Sequence, residues 1–205
     1  MKAPADSGAI AAAVASAKAA DQVILAVGID KSVCGEGTDR SDIGLPAGQA
    51  NLLAAILQLK KPTCVVLFNG GQLAVPLAKQ EAPAVLEAFF PGQSGGTAVA
   101  EAIFGATNTF GKLAYSIYNT SVVEDFELHD QDMSKPPGRG YRYYTPGAIS
   151  PVSGKPADPL LWEFGTGLSY TTFSLKWAGL PPGQHTVHTS TDAAVNYTAT
   201  VTNTG

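Results

Sequence analysis

Charge, histidine, cysteine and long apolar runs are all scarce in this chain, and each scarcity narrows what it can do. Charged residues make up 15% of 205, and the net charge is −4. Nothing in that balance provides the basic stripe that a phosphate backbone requires, so no nucleic-acid partner is expected. No run reaches the roughly 18 apolar residues of a membrane span, so none is expected either. The two cysteines, Cys34 and Cys64, match no metal or redox spacing. One falls in a loop after a strand pattern and the other at the start of the next strand. In a parallel sheet those points lie at opposite ends, too far apart for a disulfide. A Gly-Lys-Ser/Thr ending and a G-x-G-x-x-G fingerprint are both missing, which argues against nucleotide binding. The Ala-rich stretch at 9–20 lacks leucine, follows Asp6 and runs straight into a strand pattern. It does not read as a signal peptide. Two glycosylation sequons, at Asn119 and Asn196, are weak pointers to secretion.

What is present is an apolar fraction of 45%, enough to bury a core. Residues 7–20 read as an Ala-dominated helix that Ser7 can cap. The run at 22–28 (QVILAVG) reads as a buried strand. A polar, Gly-rich loop follows at 29–46, and long loops at strand ends are common places for function. An apolar stripe predicts a helix over 48–59. Residues 63–68 (TCVVLF) and 84–90 read as second and third strands, with a short helix at 73–79 between them. A helix is expected over 94–104 and a fourth, alternating strand over 112–118. Strands alternating with helices predict an α/β fold, a three-layer α/β/α sandwich with a mostly parallel sheet. From 118 to 173, proline, glycine and aromatics predict an irregular, packed extension. Beyond 174, alternation such as NYTATVTN at 196–203 is strand chemistry of an all-β module. About 30 residues are far too few for a complete sandwich of about 100. The expected division is therefore 1–173 and 174–205.

Candidate chemistry lies in a few places. In Gly35-Glu36-Gly37-Thr38-Asp39-Arg40, two glycines flank a carboxylate, so the chain can bend tightly and push Glu36 outward. Asp39 and Arg40 can pair with loop backbone or with each other. A carboxylate held on a strand-end loop suits a general acid/base, although a solvated surface glutamate fits the spacing as well. Gly92-Gln93-Ser94-Gly95-Gly96 fits the G-x-S-x-G nucleophile elbow. A triad could then use Asp125 or Asp130 with His185 or His188. Pro91 ahead of the turn argues against it, and Ser94 as a helix cap is the plainer reading. His129 stands among Glu127, Asp130 and Asp132, a set that a solvated loop explains better than a metal. The aromatics Tyr141, Tyr143, Tyr144, Trp162, Phe164 and Tyr170 could stack on sugar rings, though such clusters more often pin irregular chain.

Read in order, several segments resemble the C-terminal domain of family 3 glycoside hydrolases. They are AADQV at 19–23, VGID at 27–30, GEGTDR at 35–40, Leu45-Pro46 with Gln49, and FNGG at 68–71. FPGQSGGTAVAEAIFG at 90–105, Asn108 with GKL at 111–113, PGRGYRYY at 137–144 and FGTGLSYTTF at 164–173 follow. The tail, VTNTG at 201–205, is similar to the opening of a fibronectin type III-like domain. One departure is Asn108-Thr-Phe-Gly-Lys-Leu-Ala114, where the family usually has Asn-Pro-x-Gly-Arg-Leu-Pro. The resemblance implies part of a retaining β-glucosidase or β-xylosidase whose Asp nucleophile sits on a separate N-terminal (β/α)8 barrel. It implies that Glu36 is the acid/base and that Asp39-Arg40 is the supporting pair. No cofactor or metal is implied. The implied partners are a β-linked glycoside and the barrel, and the implied location of the parent enzyme is extracellular. A non-catalytic module that binds sugar or a partner protein is the alternative.

Overall fold

A computed structural model describes residues 7–179, 183 and 196–205. The chain divides into two compact units, Met1–Thr107 with Gly111–Gly167, and Asn108–Phe110 with Leu168–Gly205.

The first unit is a mixed α/β fold. Helix α1 (Ser7–Ala19) leads into β1 (Val23–Gly28), α2 (Ala47–Leu57), β2 (Thr63–Phe68), α3 (Pro76–Glu81), β3 (Ala84–Glu87) and α4 (Gly95–Ile103). The three strands form a parallel sheet in the order β1-β2-β3. Val23 pairs with Thr63 and Gly28 with Phe68, while Cys64 pairs with Ala84 and Leu67 with Glu87. Parallel pairing needs helical crossovers, and the Ala- and Leu-rich stretches between the strands supply them. Proline at the first position of α3 fits because its missing N–H would be unpaired there in any case.

One apolar cluster joins sheet and helices. It contains Leu25, Val27, Val65 and Leu67 from the strands, Leu53, Ile56 and Leu57 from α2, Ala17 from α1, and Val75 and Ala78 around α3. Burying each larger aliphatic contributes about 1.5–3 kcal/mol. Along β1 burial alternates: Leu25 and Val27 are buried, whereas Ile24 is 52% exposed. The end of β1 is finished by Gln49. Its Oε1 accepts from Gly28 N at 2.6 Å and its Nε2 donates to Gly28 O at 2.8 Å. Gly28 itself must lack a side chain, since a Cβ there would lie 1.9 Å from Phe68 O.

Residues 112–118 do not form the expected fourth strand. They pair with the chain at 161–166 instead, through Leu113 N to Thr166 O at 2.8 Å and Ile117 N to Trp162 O at 2.7 Å. The alternation is real, but its partner is irregular backbone, so only an isolated bridge results. The third strand also stops at Glu87, short of residue 90. Phe89 adopts a left-handed φ of 51°, which no strand can contain. Beyond 118 the chain is irregular, as expected, with only a 3-10 turn at Thr120–Glu124 and a short helix α5 at Gly140–Tyr143.

In the second unit β4 (Phe173–Trp177) and β5 (Ala199–Asn203) form an antiparallel pair, Phe173 opposite Asn203 and Trp177 opposite Ala199. Asn108 Oδ1 accepts from Ser169 Oγ and Tyr170 N, and Phe110 meets Tyr170 edge-on at 5.8 Å.

Candidate active site

All three parallel strands point their carboxyl ends to one edge, and open α/β sheets place their sites there. The loop leaving β1 carries the Gly35–Arg40 motif. Gly35 and Thr38 exchange two backbone hydrogen bonds, Gly35 N to Thr38 O at 3.1 Å and Thr38 N to Gly35 O at 2.9 Å. Gly37 takes φ +75°, as the third residue of a type II turn must. Glu36 therefore stands exposed at the tip of a closed turn. Asp39 is also exposed.

Arg40 does not pair with its neighbour Asp39. It reaches back to the turn after β2, where Nη2 donates to Gln72 O at 2.7 Å. Ala74 N donating to Ile43 O at 2.8 Å ties the same two segments. The approach is close: a Cβ on Gly71 would sit 3.2 Å from Arg40 Nη2 and 3.6 Å from Cys34 Sγ. The turn at 69–72 is itself held from two other sides. The Gln72 side chain, with its amide oriented to suit both neighbours, donates to Ser116 O at 3.2 Å and accepts from Tyr118 N at 2.9 Å. Asn69 is fully buried; its N donates to Phe89 O, and its Nδ2 donates to Gly71 O at 3.0 Å.

Beneath this loop lies a polar cluster that the motifs did not announce. Glu87 ends β3, accepts from Phe89 N through Oε1 at 3.2 Å, and hydrogen-bonds the Asn69 side chain. Burial pushes its carboxyl up to about 7, against the lowering effect of those two bonds. Tyr115 packs edge-on to Phe89 at 5.9 Å. Its hydroxyl is pushed up to about 12, first by burial and then by Glu87, with Arg40 opposing. Arg40 Nη1, Asn69 Oδ1, Glu87 Oε2 and Tyr115 Oη are buried without a hydrogen-bond partner. One member left a signal in the sequence: Glu87 is a lone carboxylate inside the apolar stretch AVLEAFF.

The other candidates fare differently. Ser94 sits at the N-cap of α4 with φ −92° and ψ 8°, and its side chain makes no cap bond. An elbow serine occupies a strained turn directly after a strand. Ser94 is unstrained and follows β3 by seven residues. His185 and His188 lie outside the described residues. Asp125 is buried and accepts from Ser153 Oγ at 2.7 Å, while Asp130 pairs with Lys135 at 2.6 Å. Among the described residues no three His, Cys, Asp or Glu side chains converge as a metal site, the His129 neighbourhood included. Both thiols are free, and burial raises that of Cys64.

Most of the aromatic cluster pins irregular chain. Tyr118 and Tyr144 meet edge-on at 4.8 Å, Tyr144 Oη donates to Asp158 O at 2.7 Å, and Trp162 packs against the core under Lys79. Tyr141 and Phe164 instead stack at 4.2 Å on the surface, 58% and 46% exposed.

Known proteins share this arrangement of strands and loops. The family model of the glycosyl hydrolase family 3 C-terminal domain matches residues 2–170. The probable exo-1,4-beta-xylosidase bxlB of Aspergillus flavus is 35% identical over 97% of this chain, which spans 26% of that protein. The periplasmic beta-glucosidase of Salmonella typhimurium is 35% identical over 94% of this chain, which spans 24% of it. A solved GH3 exo-beta-xylosidase, XlnD in complex with a xylobiose aziridine probe, superposes over 100% of this chain and 27% of its own. The TM-score there is 0.81 and the identity 30%. The chain thus spans about a quarter of the length of the relatives it matches. With that family model matching most of its length, residues 2–170, the chain belongs to the glycosyl hydrolase family 3 C-terminal domain family.

Proposed function

We propose that this chain is the acid/base-supplying domain of a retaining β-glycosidase acting on β-glucosides or β-xylosides. Glu36 would protonate the departing glycosidic oxygen and then deprotonate the attacking water. Arg40 would hold the loop, and Asp39 would help to order it. The nucleophile would come from a (β/α)8 barrel, and retaining carboxylates must stand about 5–5.5 Å apart, so the exposed tip has to reach across to that barrel. The observation that carries this reading is the placement of Glu36: exposed, at the end of a closed turn, on a loop tethered at the carboxyl edge of the sheet.

The finer organisation follows the same reading. Helices would cover both sheet faces in a three-layer sandwich, and residues 174–205 would open a fibronectin type III-like domain. The parent enzyme would be secreted; among the described residues no helix is long and apolar enough to cross a membrane. By itself the chain should turn over neither aryl β-glucosides nor β-xylosides, because one member of a cooperating pair accomplishes little alone.

The test joins this domain to its own barrel. Glu36→Ala should slow substrates with poor leaving groups by about 10²–10⁴-fold, and activated aryl glycosides much less. Azide should restore rate and yield a β-glycosyl azide, since a second inversion regenerates the configuration. A loss of less than about threefold on poor leaving groups, well below the general acid/base range, would make Glu36 an ordinary loop residue.

A further inference from the structure

We propose that Gln72 is a positioning residue for the Glu36 loop: its side chain clamps the 116–118 segment, and its own carbonyl, fixed by that clamp, receives the Arg40 guanidinium that ties the loop down. The consequence for catalysis rests on the acid/base reading of Glu36; the clamp itself does not.

Backbone polar groups along 116–118 alternate in direction. Ile117 N donates to Trp162 O at 2.7 Å and Ile117 O accepts from Leu161 N at 2.8 Å, while Ser116 O and Tyr118 N serve Gln72. There the glutamine takes the place of a strand: Nε2 donates to Ser116 O at 3.2 Å and Oε1 accepts from Tyr118 N at 2.9 Å. A residue in a parallel ladder bonds its neighbour in the same slanted way, to the carbonyl before and the N–H after the residue opposite. An amide carries a donor and an acceptor side by side, which this pair of backbone groups requires. The segment it grips is firmly held. Ser116 and Ile117 are buried, and Tyr118 Oη accepts from Gly140 N at 2.5 Å. The turn that Gln72 ends is not firm by itself, because Gly70 and Gly71 leave its backbone many conformations. Side chains set its shape at both ends, Asn69 through Nδ2 to Gly71 O at 3.0 Å and Gln72 through the clamp. Gln72 O then receives Arg40 Nη2 at 2.7 Å. One residue thus joins three segments: the loop after β1, the turn after β2 and the 111–118 segment. Arg40 closes the GEGTDR motif that holds Glu36, so a carbonyl that moves carries the carboxylate with it. A displacement of about 1 Å in a reacting group can cost about 100-fold in rate.

Two readouts test this. In the full chain the Ala74 amide reports the junction, since it donates to Ile43 O at 2.8 Å between the same two segments. Gln72→Leu, close in size but without the amide, should speed its hydrogen exchange about tenfold, the worth of the lost hydrogen bonds. Val65 and Leu67 in β2 should keep their protection. Gln72→Asn, whose amide is a methylene too short to meet both backbone groups, should do the same, and it decides the matter should Gln72→Leu not fold. With the barrel joined, kcat/KM covers the steps up to departure of the leaving group. There both variants should lose on the order of 100-fold on poor leaving groups. On activated aryl glycosides, which depart without a proton, they should lose less than about threefold. A merely structural loss would lower both equally. Arg40→Gln should show the same pattern, and Arg40→Gln combined with Gln72→Leu should lose no more than the worse single variant, because both break one tie. An unchanged Ala74 amide overturns the proposal. So do equal losses on the two classes of substrate, or losses that multiply in the double variant. If Glu36→Ala slows the joined enzyme as expected while the Gln72 variants do not, the acid/base reading stands and the positioning role fails. If Ala74 responds as stated while Glu36→Ala costs nothing, the acid/base reading fails and the clamp stands.

Discussion

The two ends of the parallel sheet are built on opposite principles. At the amino end several polar groups of the connecting segments have partners. Lys61 Nζ donates to Lys18 O at 2.6 Å and also to Ala20 O, closing the carboxyl end of α1, where unpaired carbonyls are expected. Thr63 Oγ1 donates to Lys61 O at 2.9 Å, and Lys60 pairs with Glu81 at 2.7 Å. At the carboxyl end the only four buried, unpartnered side-chain atoms among the described residues gather under one loop. One end is finished for stability. The other is left with unmatched polar groups and a strained corner, which proteins tolerate mainly where a site needs them.

The apolar layer between the ends sets the scale for breaking this contrast. Leu67 is fully buried in the centre of β2 and belongs to the cluster that joins sheet and helices. Leu67→Ala should cost about 2–5 kcal/mol, the sum of lost transfer energy and a cavity. Denaturant unfolding would check it. A loss below about 1 kcal/mol would mean that the site collapses freely, against the close packing expected of such a core.

Glu87→Gln should act in the opposite direction and only at higher pH. The carboxyl is raised from 4.5 to about 7 in the fold, so the folded state binds the proton more tightly than the unfolded chain. Its contribution is whole below about pH 4.5, declines as pH rises, and is gone above about 7. The wild type should therefore lose roughly 2 kcal/mol between pH 5 and pH 8 through this group, after discounting for its partial exposure. The variant should not. Parallel stability curves for the two proteins over that range would remove Glu87 from the account.

Much of the sheet was legible because its signals are local. TCVVLF is a short apolar run between a lysine pair and an Asn-Gly-Gly turn, and β2 occupies those same six residues. The GEGTDR turn was legible too, since a glycine on either side of Glu36 permits the tight bend and the positive φ that Gly37 adopts. The 112–118 segment was misread because alternation reveals which faces a strand offers and nothing about its neighbour. Here the neighbour is the irregular chain at 161–166. Arg40 was expected to pair within its loop, yet its partner lies 32 residues away. Asn69, Glu87 and Tyr115 were invisible as a group for the same reason: strand order alone brings them together.

The finest test concerns a single residue at the well-finished end. Lys60 follows α2, its N–H donates to Leu57 O at 3.0 Å, and its φ is 53°. That left-handed conformation costs an L-residue roughly 1–2 kcal/mol, and glycine almost nothing. Against it stands the ion pair with Glu81, whose lysine side chain is 71% exposed. Exposed pairs of this kind contribute about 0.2–1 kcal/mol and weaken with salt. Lys60→Ala keeps the strain and loses the pair, so it should destabilise by up to about 0.5 kcal/mol at low salt. Lys60→Gly loses the same pair but relieves the backbone, at some entropic cost in the unfolded chain. It should come out about 0.5–1 kcal/mol more stable than Lys60→Ala. In about 0.5 M salt, where screening removes most of the pair, Lys60→Gly should equal or exceed the wild type. If glycine and alanine prove equal at both salt concentrations, the backbone at Lys60 carries no strain. The amino end would then hold its helix terminus by charge and hydrogen bonding alone.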